Sequence, residues 1–244
     1  MGAAAPLGLR VSPPVTSAAR FCHSVPVQGL SGRWVEDVRS ALPRADEAAV
    51  AAVGRDLLTR WDEPHRRYHG LTHLAEVLAA VDLLAREGSL PAGARTVARL
   101  AAWFHDAVYT VGGADDSERR SAAMARESLA LLGAGAALVE AVATAVLDTE
   151  RHELGDGPRD PARTVLHDAD LWILAAPTPR FDEYCAQVRA EYGDVPPADY
   201  AAGRSAVLRP FLVRGHVYLT DHARRGWEDA ARENLARELT RLAG

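Results

Sequence analysis

Three short strings concentrate side chains able to hold a cation or move a proton: Tyr68-His69-Gly70-Leu71-Thr72-His73, Trp103-Phe104-His105-Asp106 and His167-Asp168-Ala169-Asp170-Leu171. His73 lies four residues before Val77 and faces inward at a helix start. His105 lies four after Ala101 and three before Val108 on a strongly apolar helix, where a charged Asp106 is costly without a partner. Asp170 has Leu166 and Leu174 at its two four-residue offsets and points into the core. Asp168 is flanked by Thr164 and Trp172 and sits about 200° around the same helix, so its face is ambiguous. Two imidazoles and two carboxylates from three helices make a compact site for a divalent metal, with positions left open for water. The candidate ligands are His73, His105, Asp106 and Asp170.

Helices must position these residues. From Ser31 onward the apolar residues recur at helical spacing, with no run of β-branched alternation, and the expected fold class is all-α. The first helix carries Trp34, Val35, Val38 and Leu42 before Pro43, and the second carries Val50 to Trp61 before Pro64. A third opens near Thr72 and ends at Gly88, read as a left-handed cap. A fourth starts after Pro91 and runs through Val108 to the Gly112-Gly113 turn. Asp115 and Glu118 read as a capping box that opens a fifth, and Leu138 to Val146 define a sixth. A loop from Glu150 to Pro161 leads to a helix around Val165 to Leu174, stopped by Pro177 and Pro179. Further helices are expected over Phe181 to Tyr192, Pro197 to Leu212 and Arg224 to Leu242. Residues 1–28 read as a disordered leader and 29–244 as one helical domain.

The chain has 244 residues, 48% of them hydrophobic and 25% charged, values that exclude a disordered or fibrous protein. A net charge of −5 leaves no basic field to hold a nucleic acid. No apolar stretch has the length of a membrane span, and the N-terminus lacks the apolar core of a signal peptide. Two cysteines without metal-type spacing fit a reducing, cytoplasmic setting.

The ordered set His73, His105-Asp106 and Asp170 resembles the HD superfamily of helical, metal-dependent phosphohydrolases, whose pattern is a His, an adjacent His-Asp and a distant Asp. Arg67-Tyr68-His69, the string from Trp103 to Tyr109, Glu118 with Ser121-Ala122, Asp168-Ala169-Asp170-Leu171, Arg189-Ala190-Glu191-Tyr192 and Gly203-Arg204 are similar to a bacterial subgroup described as predicted HD phosphohydrolases. The resemblance covers most of the chain after the leader. It implies an HD-domain helical bundle and hydrolysis of a phosphate ester of a small metabolite, such as a nucleotide. The implied cofactor is a divalent ion: Mn, Co, Ni, Mg, Fe or Zn. Dinuclear members supply two more histidines before the last Asp, whereas this interval holds only His152 and His167, so one ion is expected. Alarmone hydrolases carry an acidic pair after the His-Asp, where this chain has Ala107-Val108-Tyr109-Thr110.

Around that centre, Asp106 or Asp168 is expected to orient the attacking water, and His69, with Arg66 or Arg67, to meet the phosphate. Each has a plainer reading: Asp168 as a capping carboxylate, His69 as a turn residue. Glu118 is either a capping residue or a support to the site, and His152 a loop residue or a substrate contact. Arg189, Arg204 and Arg214 are surface residues or phosphate contacts. Two other functions stay open: an HD-type di-iron oxygenase and a non-catalytic, metal-stabilised binding module. Homo-oligomerisation is left open as well.

Overall fold

The computed structural model describes residues 27–112, 116–152 and 159–244. Every regular element among them is helical, as the periodicity predicts. In chain order these are α1 (Leu30–Ala41), α2 (Glu47–Trp61), α3 (Leu71–Glu87), α4 (Ala92–Phe104), α5 (Ser117–Leu131) and α6 (Ala136–Leu147). They continue as α7 (Pro161–Asp170), α8 (Thr178–Glu191), α9 (Pro197–Val213), α10 (Asp221–Gly226) and α11 (Glu228–Ala243). Two 3-10 turns, Asp148–Glu150 and Leu171–Ala175, complete the set. The expected leader lies outside the described residues except for Val27 and Gln28, as do Gly113, Asp115 and the middle of the expected 150–161 loop. Among the described residues no helix is long and apolar enough to cross a membrane.

Helices α3, α4 and α7 pack against one another at the centre. Around them α1 and α2 cover one side, α5 and α6 another, and α11 packs on α9 and on the Leu171–Ala175 turn. Trp34, Trp61, Trp103 and Phe104 are fully buried between α1, α2 and α4. Each indole N–H in this group has an acceptor: Trp34 donates to the Val50 carbonyl (2.8 Å), Trp103 to Asp37 (3.1 Å) and Trp61 to the Trp103 carbonyl (3.0 Å). The last of these satisfies a carbonyl at the end of α4 that the helix itself leaves open.

The helix ends differ from expectation in five places. Gly88 has φ −86°, and the left-handed residue is Ser89 at φ 48°, followed by a bond from Leu90 N to the Ala85 carbonyl (2.9 Å). Helix α4 stops at Phe104, so His105 and Asp106 stand in a turn beyond it, although Ala107 and Val108 continue the apolar period. Helix α5 starts after Asp116, one residue later than expected; Asp116 makes no side-chain cap, and Asp115, the expected partner of Glu118 in a capping box, lies outside the described residues. Pro179 lies in the first turn of α8, where a missing N–H costs nothing, and the C-terminal helix is broken at Trp227.

Candidate metal centre

His73 sits in the first turn of α3, His105 and Asp106 follow the last residue of α4, and Asp170 is the last residue of α7. The packing of these three helices therefore brings the four side chains to one point. His73 Nε2 lies 3.2 Å from His105 Nε2, 3.1 Å from Asp170 Oδ1 and 3.7 Å from Asp106 Oδ2. His105 Nε2 lies 3.4 Å from Asp106 Oδ2 and 3.5 Å from Asp170 Oδ1. His73, His105 and Asp106 form a group that could hold a metal ion, with both imidazoles buried.

The donor chemistry fits such an ion. Bonds of about 2.1 Å from a divalent cation place neighbouring ligand atoms about 3.0–3.4 Å apart, close to the separations here. His105 Nδ1 donates to the Ala102 carbonyl (2.9 Å), which fixes the tautomer and turns the Nε2 lone pair toward the cluster. Burial opposes a charge on His105, yet the carboxylates of Asp106 and Asp170 overcome it and push the imidazole up to about 9. Burial likewise opposes ionisation of Asp170, but His105 and His73 hold its carboxyl well below the usual range. The carboxyl ends of α4 and α7 add partial negative charge to the same point. The cluster attracts positive charge.

Two devices hold the turns that carry these ligands. Arg66, buried between Trp61 and Tyr109, donates to the carbonyls of His69 (2.9 Å), Asp106 (2.7 Å) and Ala107 (3.1 Å) and pairs with Glu63 (3.1 Å). Ser121, fully buried on α5, accepts from Val108 N (3.0 Å) and donates to the Val108 carbonyl (3.3 Å).

The cluster opens into a cavity of about 500 Å³ lined also by Tyr68, His69, Glu118, His152, Tyr184 and Arg204. His69 Nδ1 donates to Glu191 Oε2 (2.7 Å), leaving Nε2 for the cavity, and its ring stacks on Tyr109. Glu191 Oε1 accepts the N–H groups of Arg67, Tyr68 and His69 at 2.7–3.0 Å, and Tyr109 donates to Oε2 (3.0 Å). Burial would raise the Glu191 carboxyl, but the hydrogen bonds from His69 and the backbone bring it down to about 2. His152 is held at φ 51° with Nε2 3.6 Å from Asp170 Oδ2, and burial keeps it neutral by lowering it to about 4.

Several expected contacts are corrected by this arrangement. Asp168 does not reach the cavity: Leu219 N donates to Oδ1 (2.8 Å), Thr220 N to Oδ2 (2.7 Å) and His167 Nδ1 to Oδ1 (2.9 Å). Arg66 spends its donors on carbonyls and Glu63, which leaves none for a phosphate. Arg67 is exposed and donates to the Pro64 and Arg66 carbonyls, and Arg189 closes the end of α8 by donating to the Tyr192 and Val195 carbonyls. Arg214 donates to the His152 carbonyl (2.9 Å) and so steadies that residue. Glu191 and Ser121 appear in the sequence analysis only within the strings that carry the resemblance, and the roles seen here are not assigned there. A signal for Glu191 exists, since Phe181, Tyr184 and Val188 define the buried face of α8 and Glu191 falls next on it.

No protein-family model matches the chain, and no curated protein matches it.

Proposed function

We propose that the protein is a metal-dependent phosphohydrolase acting on phosphate esters of small molecules, with a nucleotide as one candidate substrate, and that its sequence order of His, His-Asp and Asp belongs to the HD type. One observation carries this reading: the side chains of His73, His105, Asp106 and Asp170, from three separate helices, meet at 3.1–3.7 Å beside a cavity. A single divalent ion held by these four would supply Lewis acidity, making water a better nucleophile and screening charge on the phosphoryl group.

The chain's own residues then have separate tasks. Asp106, less buried than the two histidines, accepts a hydrogen bond from the attacking water and aims it. His69, fixed through Nδ1 by an ionised Glu191, in its imidazolium form donates from Nε2 to a phosphoryl oxygen or to the leaving oxygen. His152 stays neutral beside Asp170 and offers a hydrogen bond without adding charge. The apolar wall formed by Ile173, Leu174, Leu208 and Phe211 excludes water from the body of the ester.

The test is turnover of a nucleotide and sugar-phosphate panel with Mn²⁺, Co²⁺, Ni²⁺ or Mg²⁺, alongside metal analysis. Phosphate release with one ion per chain, abolished in His105→Ala, is the expected result. Two irons per chain with substrate-dependent O₂ uptake would reject it in favour of an oxygenase. Ligand binding without turnover under every metal would reject it in favour of a binding module.

A further inference from the structure

Away from the metal donors, the cavity is walled by α8 and α9, and Arg204 is the guanidinium that lines it among the described residues. Arg204 lies over the Tyr184 ring (5.1 Å) and donates through Nη2 to the Tyr184 hydroxyl. Its Nε is buried with no hydrogen-bond partner. Its polar side-chain partner is the Tyr184 hydroxyl, and no carboxylate of the described residues forms an ion pair with it. The Tyr68 ring also packs on Tyr184, at 4.5 Å, and continues to His73 at 4.6 Å. The Tyr68 hydroxyl is also buried without a partner. Both residues line the cavity.

The other guanidinium beside Tyr68 is no substitute, because Arg180 is held by both oxygens of Glu76 at 2.7 and 2.9 Å. Arg66, Arg67 and Arg189 are not among the residues that line the cavity, and each donates to backbone carbonyls. A buried guanidinium without a counterion is costly unless something outside the chain supplies the anion. Its flat fork suits an oxyanion, and a phenol O–H adds a further donor.

We propose that Arg204 and Tyr68 form a subsite for a second anionic group of the substrate, a phosphate or a carboxylate, so that the preferred substrates are small phosphate esters bearing a further negative charge. This rests on the reading of the His/Asp cluster as the centre where the first phosphate reacts. The acidic cluster and the guanidinium then sort the two ends of the molecule, one through its metal and the other directly.

The experiment has two arms. In the first, the metal-loaded full chain is assayed on paired esters: glycerol phosphate against phosphoglycerate for a carboxylate, and fructose 6-phosphate against fructose 1,6-bisphosphate for a phosphate. The wild type favours the doubly anionic member of at least one pair, and Arg204→Gln shrinks that ratio of kcat/KM by about 10- to 100-fold, the loss of one charge-assisted hydrogen bond. Absence of any preference, or a ratio unchanged in Arg204→Gln, overturns the proposal. In the second arm, the chelator-treated full chain is melted with inorganic phosphate or malonate against sodium chloride of equal ionic strength. Wild type gains Tm, Arg204→Gln and Tyr68→Phe lose that gain, and ligand-free Arg204→Gln melts no lower than wild type because an uncompensated charge is gone. No gain in wild type beyond that given by the salt overturns the subsite. A gain that Arg204→Gln loses, with no ester hydrolysed, upholds the anion subsite while rejecting the phosphohydrolase reading.

Discussion

Asp168 and Asp170 stand two residues apart on α7 and face opposite sides of it. Asp170 Oδ1 is 3.1 Å from His73 Nε2, whereas both oxygens of Asp168 are taken by the N–H groups of Leu219 and Thr220. Two identical side chains thus serve a His/Asp cluster and a chain crossing.

Substituting the pair separates those roles. Asp170→Asn is expected to lose the ion while the chain stays folded. Asp168→Asn is expected to keep the ion but to lose about 2–3 kcal/mol of stability, since an amide nitrogen would face a backbone donor. Metal stoichiometry and urea midpoints on both variants check this, and metal loss confined to Asp168→Asn would reverse the assignment.

Glu191 gives the fold an acid-sensitive component. Its carboxyl is held at about 2, below the ordinary 4.5, so the unfolded chain binds the proton first. The stabilisation is complete above about pH 4.5 and is lost as pH falls toward 2. Glu191→Gln is expected to cost about 3 kcal/mol at neutral pH and to flatten the loss of stability across that window. An unaltered pH slope in the variant would show that another carboxylate is responsible.

Arg66 joins the turn before α3 to the turn after α4. Arg66→Met is expected to lower metal affinity by about 10- to 100-fold, because both ligand-bearing turns lose their common anchor. Arg66→Lys should not restore it, since one ammonium cannot reproduce the fork that spans the His69, Asp106 and Ala107 carbonyls. Chelator competition measures both.

Gly54 of α2 lies against the Trp34 ring of α1. A Cβ there would lie 2.4 Å from Trp34 Cδ1, and Trp34 is pinned by its bond to Val50. Gly54→Ala should therefore cost about 1–3 kcal/mol by overpacking. Gly32, in α1 with nothing within 4 Å of its Cβ position, should gain stability as alanine, by up to about 1 kcal/mol. Thermal melts of the two variants should move in opposite directions.

The metal cluster was legible in sequence because its burial is written locally. His73 and Asp170 each have apolar neighbours one helical turn away, and the offset between Asp168 and Asp170 separates their faces. What lies beyond local pattern was not legible. Arg66 and Arg189 look like phosphate binders, yet long guanidinium stems reach carbonyls set by the path of the chain elsewhere, and no periodicity encodes that path. The end of α4 was misplaced for the same reason: Ala107 and Val108 continue the apolar spacing, but Arg66 and Ser121 capture their backbone groups and turn the chain. The break at Trp227 also follows contacts distant in sequence, including the Glu228 carboxylate on Val217 N and Tyr218 N.

The capping of Asp168 by Leu219 and Thr220 has a consequence for the order of assembly during synthesis. All four ligands precede residue 171, but the helix bearing Asp170 is secured by residues about fifty positions later: the Asp168 bonds, the Tyr218 hydroxyl on the Leu171 carbonyl and Asn234 on the Leu174 and Ala176 carbonyls. A nascent chain still lacking these residues can pack α7 on α3 and α4, but the carboxylate of Asp168 and the turn after Asp170 have no partners there. The geometry of the His/Asp cluster is therefore completed only once the segment from Tyr218 to Asn234 has been made, so a chain cut before it is expected to hold the cluster less firmly.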